Sequence, residues 1–306
     1  MKQTMVARVQ RYLARRRALG YKLHTEGLLL LNFARYADRS GPCGPLTRAI
    51  ALRWATFPPH AKQAYRARRL ETLRIFARYQ AVVEPGTEIP PRHVLGGGYR
   101  RRPPHLFTRA QICHLLQQTD TLNGRLRPLT YRTLIGLLAC SGLRISEALA
   151  LTTEDVNLDQ GVLFVRQSKY QHSRLVPLHR SVLLHLRRYA RRRHQSLSHA
   201  QNFFVSDNGQ ALGYFNVCRT FRRLACALTP SNGRPNVRLH DLRHTFACRV
   251  LLRWQRSRRG VAGRIATLSR FLGHTHLRDT YWYLSAFPEL LQQAVCNVPP
   301  FVSSSP

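Results

Sequence analysis

Apolar residues recur at helical spacing along most of this chain, and the pattern gives way to β-branched runs only once. That periodicity points to a mainly α fold with a small β element. Residues 1 to about 82 read as helical throughout: "ARVQRYLARRRALG" stops at Gly20, and "EGLLLLNFARYAD" follows at helical length. "PLTRAIALRWATF" starts at Thr47 as an N-cap and stops before Pro58 and Pro59. In "AKQAYRARRLETLRIFARYQAVV", Leu70, Leu73, Phe76 and Ala77 make one stripe. Arg66, Arg68, Arg69, Arg74 and Arg78 lie mostly off that stripe, as a basic face turned to solvent or to a polyanion.

The stretch "VEPGTEIPPRHVLGGGYRRRPPH" has no apolar period and is rich in Pro, Gly and Arg. It separates a helical domain at 1–90 from a second domain at 105–306, with 91–104 as linker. The second domain opens on "FTRAQICHLLQQT", where Thr108 and Gln111 have capping-box spacing. A helix-turn-helix stretch, "YRTLIGLLACSGLRISEALAL", precedes the β-branched runs "GVLFV" and "SRLVPL". The polar tip "RQSKYQH" between these runs predicts a hairpin, and helical patterns return from "LLHLRRYARRR" onward.

Charge narrows the partner. The 306 residues carry 49 Lys+Arg against 14 Asp+Glu, a formal +35 with a pI near 11.5. Such an excess calls for a polyanion, and nucleic acid fits better than membrane surface because the basic residues are spread along the whole chain. No apolar run approaches the roughly 18 residues that span a bilayer, and the N-terminal residues lack the apolar stretch of a signal peptide. The seven cysteines leave one over on pairing and form no C-x-x-C, so they read as reduced thiols of a cytoplasmic protein without a zinc site.

Four stretches carry residues able to act on a phosphodiester. In "CSGLRISEAL", Gly142 breaks a helix and Arg144 stands one turn from Glu147, a pairing that also suits a structural ion pair. Lys169 sits on the hairpin tip, where a lysine is ordinarily solvated. In "RLHDLRHTFA", His240 and Arg243 share a face at a helix N-terminus, while His244 is expected to look toward another side. In "SRFLGHTHLRDTYWYL", Gly273 and His274 end one helix and the next carries Tyr281, Trp282 and Tyr283.

Taken together, "GLRISE", "HDLRHTFA", "FLGH" and a tyrosine nine positions after His274 resemble the tyrosine recombinase (phage integrase) family over about residues 105–290. The resemblance implies a helical core-binding domain followed by an α+β catalytic domain. Matched residue by residue, it assigns Arg144, Lys169, His240, Arg243, His274 and Tyr283 as the catalytic set, with Glu147 in support. Lys169 is matched through "SRLVPL", lying five residues before Arg174; the tip has no glycine where many relatives do. The implied partner is duplex DNA, cut and rejoined by a tetramer on two sites, of this chain alone or with sister recombinases; "PELLQQAV" resembles the tail helix that docks on a neighbouring protomer. "DTYWYLSAFPEL" looks most like recombinases of transposons and related mobile elements. No extra arm-binding domain is expected ahead of residues 1–82.

The chemistry of these residue types agrees. Two guanidiniums can hold the equatorial oxygens of a five-coordinate phosphorus, and two imidazoles can add hydrogen bonds. A lysine can protonate the departing 5′ oxygen. A phenol of pKa near 10 needs such cations to become a nucleophile. No carboxylate cluster suited to Mg²⁺ stands out, so no metal or cofactor is expected. Tyr281 and Tyr283 lie about 200° apart on a helix, so one faces the pocket; the family spacing selects Tyr283, leaving Tyr281 and Trp282 as packing residues. The rival readings are a type IB topoisomerase and a basic DNA-binding protein without catalysis.

Overall fold

The computed structural model describes residues 3–41, 44–96, 103–166, 173–197, 199–228, 237–256 and 262–286. They fall into two compact units, Met1–Arg102 and Pro103–Pro306.

The first unit is built of α1 (Met5–Ala18), α2 (His24–Arg39), α3 (Arg48–Thr56) and α4 (Gln63–Val83). Thr4 caps α1 by accepting from the Ala7 N–H, and Asp38 of α2 accepts from the Met5 and Val6 N–H groups at 2.7 and 3.1 Å. A carboxylate at that end satisfies orphan donors and meets the positive pole of the helix. Thr47 caps α3 as expected, accepting from Ile50. The core gathers Val9, Leu13, Leu30, Phe33, Trp54, Leu73, Phe76 and Ala77. The Phe33 and Trp54 rings meet edge to face at 5.3 Å, a geometry worth about 0.5–1.5 kcal/mol beyond burial.

Two arginines depart from the basic face expected of α4. Arg69 and Arg74 are buried. Arg69 lies over the Trp54 ring at 3.9 Å and donates to the Trp54 carbonyl at 2.7 Å. Arg74 Nε donates to the Pro90 carbonyl at 2.9 Å. Each guanidinium finds an acceptor on another segment, which offsets the cost of its burial. The stretch read as linker is likewise held at its start: Gln63 donates to the Leu95 carbonyl, and Leu95 packs against the core.

In the second unit, α5 (Arg109–Gln118) begins with the expected capping box, Thr108 accepting from Gln111 N–H and Gln111 from Thr108 N–H. Helix α6 (Arg127–Ser141) is buried almost all round, through Tyr131, Leu134, Ile135, Leu137 and Leu138, and is the axis of this core. The short α7 (Ile145–Ala150) follows. A three-stranded antiparallel sheet then runs β1 (Val156–Asn157), β2 (Val162–Val165) and β3 (Arg174–Pro177), in the order β1-β2-β3. Strands β2 and β3 are the expected hairpin; β1 is an addition that its two-residue length hid from sequence patterning. Leu163 pairs with Val176 and both are buried, whereas Phe164 and Leu175 pair on the outer face. The register ends on Val165 opposite Arg174, which sets Arg174 at the end of the strand pair next to the connecting segment.

Helices α8 (Arg180–Ser196), α9 (Tyr214–Ala225), α10 (Leu239–Arg256), α11 (Ala262–Leu272) and α12 (Arg278–Ala286) complete the described part. A separate cluster of Ala247, Leu251, Ile265, Leu268, Leu272 and Tyr283 joins α10, α11 and α12.

Candidate active site

The site begins at two helix C-termini. Gly142 follows α6 with φ +62°, and a Cβ there would lie 2.5 Å from Phe246 Cδ1. Gly273 follows α11 with φ +66°; its N–H bonds to the Arg270 carbonyl and the His274 N–H to the Ser269 carbonyl. This is a Schellman ending, which leaves the next carbonyls of the helix turned outward.

Three arginines take those carbonyls one each. Arg174 Nε donates to Phe271 O at 2.8 Å, Arg243 Nη2 to Leu272 O at 2.6 Å, and Arg144 Nη2 to Gly273 O at 2.7 Å. Arg243 Nη1 also donates to Gly142 O at 2.6 Å, so it joins the ends of α6 and α11. The negative pole of a helix favours cations at such positions. A guanidinium has five N–H donors, and these bonds orient each fork without using all of it.

Glu147 sits beneath this cluster. It accepts from the Arg144 backbone N–H at 2.9 Å and from Arg144 Nη1 at 2.7 Å. Arg174 grips both its oxygens, Nη1 to Oε1 at 3.1 Å and Nη2 to Oε2 at 2.8 Å. Burial opposes ionisation of Glu147, but the Arg174 and Arg144 guanidiniums outweigh it and hold the carboxyl at about 2. Sequence reasoning used Arg174 only to locate Lys169; the "R-x-V-P-L" context was the available signal that it has a partner.

Arg243 is buried, and desolvation together with the nearby Arg144 lowers its guanidinium to about 10. His240 is exposed by surface area, yet Arg243, Arg144 and Arg238 crowd it; desolvation and these three cations push its imidazole down to about 4. Because the ring keeps solvent contact, the cations are the firmer cause. His274, half-buried, is lowered to about 3 by desolvation and then by Arg243 and Arg144. Its Nδ1 is 2.8 Å from Thr280 Oγ1 on α12, and its ring lies nearly parallel to that of Tyr283 at 6.2 Å between centroids.

Tyr283 is 2% exposed and belongs to the α10–α12 cluster, whereas Tyr281, on the opposite side of α12, is 49% exposed. Packing is therefore not the role of Tyr281, because that face of α12 points away from the cluster. Trp282 does pack, touching the same cluster.

His244 is the second correction. Its Nδ1 lies 3.2 Å from Tyr283 Oη, its ring is perpendicular to that of His240 at 4.7 Å, and Trp282 is 5.4 Å away. The expectation that it looks elsewhere considered only its step from Arg243. Measured from His240 it is at i+4, about 40° round the helix, hence on the same face.

Thus the fold brings Arg144, His240, Arg243, His274, Tyr283 and Glu147 together and adds Arg174, His244 and Thr280. Lys169 and the "PELLQQAV" segment lie outside the described residues. Among the described residues no cluster of His, Cys, Asp and Glu could hold a metal ion, and no helix is long and apolar enough to cross a membrane.

Comparison with known proteins agrees with this geometry. Residues 106–289 match the model of the phage integrase family. A putative integrase/recombinase of Sinorhizobium fredii, y4rB, is 38% identical over 297 residues, covering 94% of each chain. A tyrosine recombinase of Thermosipho africanus is 29% identical over 71% of this chain and 70% of its own. Among solved structures, the Tn1549 transposon integrase in complex with transposon right end DNA superposes with a TM-score of 0.68 at 17% identity, covering 97% of this chain and 99% of that one. With a buried tyrosine beside two carbonyl-held arginines, and with both a family model and a 38% identical relative in agreement, the chain belongs to the phage integrase family.

Proposed function

We propose that this tyrosine-type site-specific DNA recombinase cuts duplex DNA with the Tyr283 hydroxyl, leaving a 3′-phosphotyrosyl bond that a 5′ hydroxyl later reverses. The observation that carries this reading is the seating of Arg144 and Arg243 on adjacent carbonyls at the end of α11, where Leu272 packs in the same cluster as Tyr283. Guanidiniums preset in this way can receive the equatorial phosphoryl oxygens with little reorganisation. His240 and His274, neutral at pH 7 by the shifts above, can donate N–H bonds to the same oxygens. In this reading Lys169 protonates the 5′ oxygen, and Glu147 with Arg174 keeps Arg144 in place.

The phosphotyrosyl ester retains the energy of the phosphodiester, so rejoining needs no nucleotide. The helical first unit, with its exposed arginines, grips the flanking duplex. Four protomers act on two sites, with sister recombinases as possible partners, and the likeness to y4rB and to the Tn1549 integrase favours a mobile element as the source. The direct test is incubation with the DNA that flanks the chain's own coding sequence, in EDTA, followed by a search for a protease-sensitive protein–DNA adduct. Tyr283→Phe is expected to abolish the adduct while DNA binding persists, and Tyr281→Phe to leave it intact; the reverse pattern would refute the assignment.

A further inference from the structure

The chemistry above leaves one proton without a destination. A phenol of pKa near 10 is ionised in only about one molecule in a thousand at neutral pH. The guanidiniums stabilise the phenolate but cannot accept its proton. Tyr283 is 2% exposed, so bulk water has poor access to it.

We propose that His244 is a further catalytic residue, the general base that takes the phenolic proton of Tyr283. Its Nδ1 is within hydrogen-bond distance of the reacting oxygen, at 3.2 Å. The ring is held from two sides, by the perpendicular His240 ring and by Trp282, both in the range of aromatic contact. The other two imidazoles are less suited. His274 has its Nδ1 engaged with Thr280 and presents a ring nearly parallel to the phenol. His240 stands beyond His244 and is exposed at the rim of the site. The role requires the tautomer of His244 with its proton on Nε2, which makes Nδ1 the acceptor.

The step balances as follows. The Oη–H bond of Tyr283 breaks and its proton moves to His244 Nδ1. The freed electron pair forms the Oη–P bond, and the P–O5′ bond breaks. The leaving 5′ oxygen keeps that pair and takes a proton from the general acid. On rejoining, His244 returns its proton to the departing phenolate. Proton transfer creates a phenolate and an imidazolium without changing the net charge of the pocket. The phenolate forms close enough to Arg243 to interact with it electrostatically.

This inference rests on Tyr283 as the nucleophile, and its test separates the two claims. Single-turnover adduct formation on a nicked duplex of the flanking DNA is compared for the full-length chain and for His244→Asn, whose side-chain amide oxygen can still accept a hydrogen bond but cannot take a proton. Cleavage is expected to fall by about 10²–10⁴-fold at pH 7. Replacing Tyr283 with trifluorotyrosine, which ionises without a base at neutral pH, is expected to restore most of that loss in the His244→Asn chain. Should His244→Asn fail to fold, His244→Ala with added imidazole replaces it, with rescue expected to rise with imidazole concentration. Cleavage within a few-fold of the parent, or a slow variant that neither trifluorotyrosine nor imidazole rescues, would overturn His244 as the base. An adduct that persists in Tyr283→Phe, or no Tyr283-dependent adduct in the parent, would instead overturn the underlying reading.

Discussion

Arg174 holds both carboxylate oxygens of Glu147, at 3.1 and 2.8 Å, across 27 residues of sequence. Through this pair the connection end of the β2–β3 pair is tied to the first turn of α7 and so to Arg144, whose own fork bonds the same carboxylate. Glu147 is thus the shared counter-ion of two cations that would otherwise repel one another around one helix end.

Glu147→Gln is expected to destabilise the second unit by about 1–3 kcal/mol, because it leaves two half-buried guanidiniums without a neutralising charge. The sign with pH is fixed by the carboxyl's depression to about 2, against about 4.3 in an unfolded chain. Its contribution is complete above the unfolded value and is lost as pH falls through the folded one. Urea titrations of parent and variant are therefore expected to differ at pH 7 and to converge between about pH 4.3 and 2. A constant difference down to pH 2 would exclude this linkage.

Gly273→Ala is expected to damage activity more than stability. Its φ of +66° costs an L residue about 1–2 kcal/mol, and the new Cβ would lie 2.7 Å from Arg174 Nη1 and 3.4 Å from Arg144 Nη1. Gly20→Ala is the control: its φ is +86°, but nothing lies within 4 Å of the added carbon. Similar melting shifts in the two variants, with adduct formation lost only in Gly273→Ala, is the expected outcome. Full activity in Gly273→Ala would mean that the arginines tolerate displacement.

His240 and His274, lowered to about 4 and about 3, are expected to remain neutral in the DNA-free protein down to about pH 5. Unfolded imidazoles titrate near 6.5, so protonation favours the unfolded chain. The stability these groups contribute is whole above pH 6.5 and declines as pH falls toward their folded values. NMR titration of the ring Cε1–H signals reads this directly. A midpoint near 6.5 for either residue would contradict the crowding by Arg243 and Arg144.

Lys169→Ala is expected to slow cleavage of ordinary DNA by about 10²–10⁴-fold, the range for a lost general acid. A bridging 5′-phosphorothiolate leaves without a proton, so that substrate is expected to bring the variant near the parent rate. Arg144→Ala should stay slow on both substrates. Failure of the sulfur substrate to rescue Lys169→Ala would make His240 the next candidate for the acid.

DNA affinity is expected to fall with salt at a log–log slope of about −4 or steeper, since each neutralised phosphate contributes about −0.9. The formal charge of +35 motivates several such contacts. Filter binding over a salt series measures the slope, and a nearly flat line would point to another polyanion.

Local chemistry determined much of what was legible in the sequence. The caps at Thr47 and Thr108, the breaks at Gly20 and Gly142 and the hairpin of "GVLFV" and "SRLVPL" depend on residues a few positions apart, as helix and strand periods do. The charge of +35 is a sum that folding leaves unchanged. The string "HDLRHTFA" and the spacing of Tyr283 from His274 pointed to residues that the fold gathers at the candidate site. Tertiary structure alone decided which donor meets which acceptor. Arg144 reaches Gly273 across 129 residues and Arg243 reaches Gly142 across 101, distances that no helical period encodes. Arg69 and Arg74 are basic residues by composition, yet they are buried because Trp54 and Pro90 from other segments offer them carbonyls. His244 comes to Tyr283 because the packing of α10 against α12 closes a gap of 39 residues, and that packing is a property of the assembled core.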